Sequence, residues 1–117
     1  MDDNDAVAAL AALAQITRLE TFRLLVRHEP DGLPAGEIAR RLGVPQNTMS
    51  AHLAVLTREG LARSERHSRL IIYRADLARL QALTLYLVQD CCGGSPALCG
   101  SLVAALAPCG PAETETR

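Results

Sequence analysis

The sequence predicts a mainly α-helical domain that carries one β-hairpin. Its 117 residues are rich in Ala and Leu, with no Trp and only Phe22, Tyr73 and Tyr86 as aromatics. Such a composition suits helices packed through small and medium aliphatic side chains. Apolar residues recur at helical spacing in five segments, and only residues 61–74 switch to a strand-like pattern. The length suffices for one domain with a real core and is short for two.

Asp2, Asp3, Asn4 and Asp5 offer N-caps and favourable charge to a first helix running to about Gln15, with Val7, Leu10, Leu13 and Ala14 at helical spacing. Thr17 is the expected cap of a second helix carrying Leu19, Phe22, Leu24, Leu25 and Val26. It should stop near Glu29-Pro30-Asp31-Gly32, a strong turn signal. Pro34 fits the first turn of a short third helix, with Ile38 and Leu42, that ends at Gly43. Pro45 opens a fourth, with Met49, Leu53 and Leu56 as its apolar stripe and an end at Glu59-Gly60.

Leu61–His67 and Arg69–Arg74 read as two strands, with Leu70, Ile71, Ile72 and Tyr73 supplying strand-forming residues and His67-Ser68-Arg69 a polar tip. Asp76 can cap a last helix through Leu77, Leu80, Leu83, Thr84, Leu87, Val88 and Cys91. Two short helices joined through Leu42-Gly43-Val44-Pro45 and followed by a hairpin give the order of a winged helix-turn-helix. Leu85 and Tyr86 widen the apolar face of the last helix beyond what a surface helix needs. A homodimer through the first and last helices is therefore expected. Residues 1–92 form the expected DNA-binding and dimerisation domain, and residues 93–117 a cysteine-containing sensor tail.

The net charge of −1 conceals a basic middle: ten arginines lie from Arg18 to Arg74 against six acids, and the chain has no Lys. Guanidinium suits phosphate and guanine edges. The longest apolar run, Ala6–Ala14, is too short to span a bilayer, and the acidic start is unlike a signal peptide. A cytoplasmic protein is expected, with no membrane partner and with reduced thiols.

In a helix starting near Pro45, Gln46, Asn47 and Thr48 occupy the first turn, and Ser50 and His52 lie one turn on, away from the apolar stripe. His52, beside Leu53, is a candidate either for DNA contact or for a partly buried hydrogen-bonding role. Short polar side chains at the N-terminal end of a reader helix reach major-groove edges, and the helix terminus favours phosphate. Arg66 and Arg69, near the hairpin tip, are candidates for phosphate or minor-groove contact. The expected partner is double-stranded DNA.

All four cysteines fall between Cys91 and Cys109, within Cys91-Cys92-Gly93-Gly94-Ser95-Pro96-Ala97-Leu98-Cys99 and ten residues beyond. An adjacent pair, with a Gly-Gly link that lets the chain return a third sulfur, is a clamp for a soft, thiol-seeking ion. A catalytic Cys would want a neighbouring base, yet His28, His52 and His67 all belong to the reader half. No enzyme is expected.

Three stretches together resemble the arsenic-responsive repressors of the ArsR/SmtB family: Ile16–Leu25, Gly36–Leu56 and Glu59-Gly60-Leu61-Ala62 leading into the basic hairpin. The most specific piece is the Gln-x-Thr-x-Ser-x-His-Leu-x-x-Leu core at residues 46–56, with Gly-Leu downstream. Pro45 departs from the Ser the family often carries there, removing a hydroxyl that caps the helix or touches phosphate. The resemblance covers residues 6–92 and implies an operator-binding repressor.

The family's cysteine pair in the third helix and its Asp/His zinc site in the last helix have no counterpart here. The Cys-Cys-Gly-Gly run resembles members that sense arsenite at the end of the last helix. As(III) or Sb(III) forms three directed bonds to thiolate, so Cys91, Cys92 and Cys99 are the expected inducer ligands, with Cys109 an alternative third or a fourth. Zinc prefers four ligands, commonly with C-x-x-C spacing. A thiol-redox switch, a Zn/Cd-responsive repressor and a sensor of methylated trivalent arsenic are the competing readings.

Overall fold

A computed structural model of the chain describes residues 1–88. Met1–Leu83 forms one compact unit; of a second, beginning at Thr84, only the end of the last helix lies among the described residues. In chain order the elements are α1 (Asp3–Leu13), α2 (Ile16–Arg27), β1 (Leu33–Pro34), α3 (Ala35–Leu42), α4 (Gln46–Arg58), β2 (Ala62–His67), β3 (Leu70–Ala75) and α5 (Leu77–Val88). The fold is a winged helix-turn-helix, with α3 and α4 as its helical pair and the β2–β3 hairpin as its wing.

α1 starts on a capping box: the Asp5 amide donates to Asp2 Oδ1 at 2.8 Å, and the Asp2 amide donates to Asp5 Oδ2 at 3.2 Å. The helix ends two residues earlier than its apolar pattern suggested, and the face it buries differs. Ala6, Ala9 and Ala12 enter the core, whereas Val7 is 64% and Leu10 41% exposed. Small side chains let α1 lie close against its neighbours and leave its larger apolar residues outside.

Gln15, rather than Thr17, caps α2: the Arg18 amide donates to Gln15 Oε1 at 2.8 Å. Thr17 sits inside the helix, and its carbonyl accepts from the buried Thr21 hydroxyl at 2.7 Å. Thr21 Oγ1 also approaches Met49 Sδ at 3.5 Å, which ties α2 to α4. Gly43 ends α3 in the left-handed conformation that favours glycine, and Pro45 starts α4 without a side-chain cap.

Leu25, Ile38, Met49, Leu53, Leu56 and Leu61 are fully buried and form the centre of the core. The expected stripe Met49, Leu53 and Leu56 is the inner face of α4.

The sheet is antiparallel, in the order β1-β3-β2. The short strand β1 has no periodicity of its own in the sequence; it forms because Leu33 and Pro34 pair with Tyr73 and Ile72. The wing register runs from Ala62 opposite Ala75 to His67 opposite Leu70, leaving Ser68 and Arg69 as the turn. Asp76 caps α5 as expected, its Oδ1 accepting from the Arg79 amide at 3.1 Å. Among the described residues no helix is long and apolar enough to cross a membrane.

Candidate nucleic-acid interface

Helix α4 owes its orientation to its two faces. Met49, Leu53 and Leu56 anchor the inner one, so Gln46, Asn47, Thr48 and Ser50 are left exposed on the outer one. The Pro45 carbonyl accepts from the Met49 amide at 2.9 Å, the first bond of the helix. Asn47 Oδ1 accepts from the Thr48 amide at 2.9 Å, so this side chain partly replaces the missing cap of Pro45. Gln46 lies across Gly36 of α3: a Cβ at Gly36 would stand 3.7 Å from the Gln46 amide group. The first turn of α4 thus presents polar side chains and amide dipoles, a surface suited to base edges and phosphate.

His52 is half-buried. Its Nδ1 lies 3.5 Å from Arg18 Nη1, so one ring edge faces α2. Arg66, on β2, and Arg69, in the wing turn, are both exposed. The predicted contact residues therefore occupy two surfaces, the outer face of α4 and the end of the wing.

The base of the wing is held by charge. Arg74 on β3 donates to Glu29 through Nε at 3.2 Å and Nη2 at 2.8 Å, and to Glu65 of β2 through Nη1 at 3.0 Å. These two carboxylates raise the Arg74 pKa further above its ordinary value. Glu65 also accepts from His67 Nε2 at 3.2 Å; that bond and those from Arg74 hold its carboxyl below the usual glutamate range, against partial desolvation. On α3, Glu37 accepts from both Arg40 and Arg41, which lowers its pKa. Arg41 Nη1 also donates to His28 Nε2 at 3.0 Å, linking α3 to the end of α2.

These arrangements subdivide the basic middle of the sequence. Arg74 and Arg18 serve the fold, whereas Arg63, Arg66 and Arg69 stand exposed on the wing. Counting charges does not reveal this division, because Glu29 and Glu65 lie 45 and 9 residues from Arg74.

Cys91, Cys92, Cys99 and Cys109 and the expected sensor tail 93–117 lie outside the described residues. Among the described residues no group of three or more His, Cys, Asp or Glu is arranged to hold a metal ion.

The helix-turn-helix domain family matches residues 13–65. The transcriptional activator HlyU of Vibrio cholerae serotype O1 is 32% identical over 78 residues, which span 67% of this chain and 69% of HlyU. A solved structure of reduced HlyU is 29% identical, covering 75% of this chain and 90% of its own with a TM-score of 0.58. An ArsR-like transcriptional regulator from Rhodococcus sp. RHA1 is 28% identical over 92% of this chain and 93% of its own, with a TM-score of 0.65. The homodimeric winged helix-turn-helix DNA-binding domain of Mb0332 from Mycobacterium bovis, a possible ArsR-family regulator, is 27% identical. It covers 77% of this chain and 89% of its own, with a TM-score of 0.60. A reader helix with an exposed polar face, a basic wing and these matches agree on one assignment: the chain belongs to the ArsR/SmtB-type winged helix-turn-helix transcriptional regulators.

Proposed function

We propose that the chain is a cytoplasmic, metalloid-responsive repressor. A homodimer formed through α1 and α5 binds two half-sites of operator DNA about 34–36 Å apart. Gln46, Asn47, Thr48, Ser50 and His52 face the bases, and Arg66 and Arg69 reach the flanking backbone or minor groove. As(III) or Sb(III), bound by the thiolates of Cys91, Cys92 and Cys99, is the inducer that releases the DNA.

The observation that carries this reading is the confinement of all four cysteines to residues 91–109, directly after the helix assigned to the dimer interface. Ligation there would pull on the end of α5 and change the placement of the two reading heads. Exposed Val7 and Leu10 on α1, Ile16 and Leu19 on α2, and Leu85 and Leu87 on α5 support a dimer. So does the homodimeric state of the Mycobacterium bovis neighbour. A coupling of about 1–3 kcal/mol between ligand and operator corresponds to about 5- to 150-fold in affinity.

A second reading is favoured by HlyU, a relative whose reduced form has been studied as such. Here two of the thiols of residues 91–109 join as a disulfide, giving two electrons and two protons to a peroxide, which leaves as water. Operator binding under arsenite and under dilute hydrogen peroxide, each followed by mass spectrometry, separates the two. Release by arsenite with all thiols reduced supports the metalloid sensor. Release by peroxide alone, with a loss of two mass units per disulfide, supports the redox switch.

A further inference from the structure

Arg18 belongs to α2, but its guanidinium serves two other helices. Nε donates to the carbonyl of Ala12 in the last turn of α1 at 2.6 Å, and Nη1 lies 3.5 Å from His52 Nδ1 on α4. Among the described residues no carboxylate pairs with it. A half-buried guanidinium that spends its donors on neutral acceptors contributes position more than charge pairing.

A surface groove of about 330 Å³ lies beside it between α1 and α4, lined by Ala8, Ala11, Ala12, Arg18, Val55 and Arg58 among others. The alanines that face it are short, and the planar guanidinium adds a polar link at this end of the two helices to the close packing of Ala9 and Ala12.

The same approach bears on the chemistry of His52. Arginine can only donate, so a hydrogen bond here needs Nδ1 as acceptor, and a neutral imidazole accepting at Nδ1 carries its proton on Nε2. The ring edge opposite Arg18 is then a hydrogen-bond donor. It suits guanine O6 or N7, adenine N7, thymine O4 or a phosphate oxygen, and it does not suit the amino group of cytosine.

We propose that Arg18 is a positioning residue for DNA reading, bracing α4 against α1 and holding His52 as an Nε2–H donor toward the duplex. This rests on α4 being the DNA-facing helix.

The test uses the full-length chain and an operator duplex selected from a random-sequence pool. Affinities are measured for wild type, Arg18→Lys, Arg18→Gln, His52→Ala, Ser50→Ala and the Arg18→Gln/His52→Ala double variant across a salt series. Lysine's donors share one nitrogen on a flexible stem and lack the rigid fork that sets Nε on Ala12 and Nη1 beside His52, so both Arg18 variants should lose about tenfold in operator affinity. The double variant should lose little more than His52→Ala alone, because the two residues act as a unit. The salt slope should stay unchanged.

Additive losses, or full affinity in Arg18→Lys, overturn the proposal. So does a salt slope shallower by about one per lost contact, which would place Arg18 on phosphate itself. If Ser50→Ala and His52→Ala both bind like wild type, the failure lies with α4 as the DNA-facing helix. If Ser50→Ala weakens binding while Arg18 and His52 show no coupling, only the positioning role fails. Should the Arg18 variants not fold, long-range ¹⁵N–¹H NMR of the wild type decides: a single Nε2–H tautomer at His52 supports the assignment, and an Nδ1–H or mixed population overturns it.

Discussion

Arg74 grips Glu29 through two nitrogens, Nε to Oε2 at 3.2 Å and Nη2 to Oε1 at 2.8 Å, and so fastens the wing to the segment that follows α2. Its third bond, to Glu65, crosses from β3 to β2. Arg63 pairs directly opposite Arg74 but reaches only Glu65, at 4.0 Å. Arg74→Ala should therefore lower the melting temperature clearly, while Arg63→Ala should leave it nearly unchanged. Thermal unfolding of both variants checks this, and a smaller effect for Arg74→Ala would contradict it.

Acid should loosen the Glu65 contacts of the wing and, separately, the Glu37 pairs with Arg40 and Arg41 on α3. Glu65 and Glu37 titrate below the ordinary glutamate value of 4.5, so both bind protons less readily in the folded chain than in the unfolded one. Their contribution is fully present above about pH 4.5 and is lost as pH falls through the lowered folded values. Urea unfolding between pH 7 and pH 3 should show wild-type stability falling more steeply than that of Glu65→Gln.

Gly32 and Gly43 separate two costs of adding a methyl group. Both have positive φ, +73° and +67°. A Cβ at Gly43 would meet nothing within 4 Å, so Gly43→Ala should cost about 1–2 kcal/mol from the left-handed backbone alone. A Cβ at Gly32 would stand 2.5 Å from the Tyr73 carbonyl, so β1 would have to move away from β3. Gly32→Ala should cost roughly 3 kcal/mol or more. Chemical denaturation of the two variants measures the difference.

Leu10 is 41% exposed on α1, beside Val7 at 64%. If this face joins two copies, Leu10→Glu should shift the chain to monomer at micromolar concentration. Operator affinity should fall sharply with it, because each half-site is then bound alone. Light scattering and a parallel DNA titration report both effects. A stable dimer in this variant would move the interface elsewhere.

Periodicity made the two faces of α4 legible. Met49, Leu53 and Leu56 lie at helical spacing and are all buried, which exposes Gln46, Asn47, Thr48 and Ser50 without any tertiary knowledge. Capping chemistry was legible where the partner is local, as for Asp2 with Asp5 and Asp76 with Arg79. It misled at α2, because the cap falls two residues before Thr17, with Gln15 accepting from the Arg18 amide.

The long-range ties were hidden. Nothing near Arg18 announces His52, 34 residues away, and nothing near Arg74 announces Glu29. The face of α1 was hidden for another reason: alanines, not the larger Val7 and Leu10, form its buried side. Apolar spacing locates a helix, but which apolar residues go inward depends on how closely the neighbour approaches. The cysteines were legible as a cluster, and their arrangement lies outside the described residues.

In the proposed mechanism, thiols of residues 91–109 couple a trivalent metalloid to DNA release. The direct measurement is operator affinity with and without arsenite, under reducing conditions, for wild type and for Cys91→Ser, Cys92→Ser, Cys99→Ser and Cys109→Ser. Arsenite should weaken wild-type binding by about 5- to 150-fold. The response should disappear in Cys91→Ser, Cys92→Ser and Cys99→Ser and survive in Cys109→Ser. Equal wild-type affinity with and without arsenite and antimonite would contradict it.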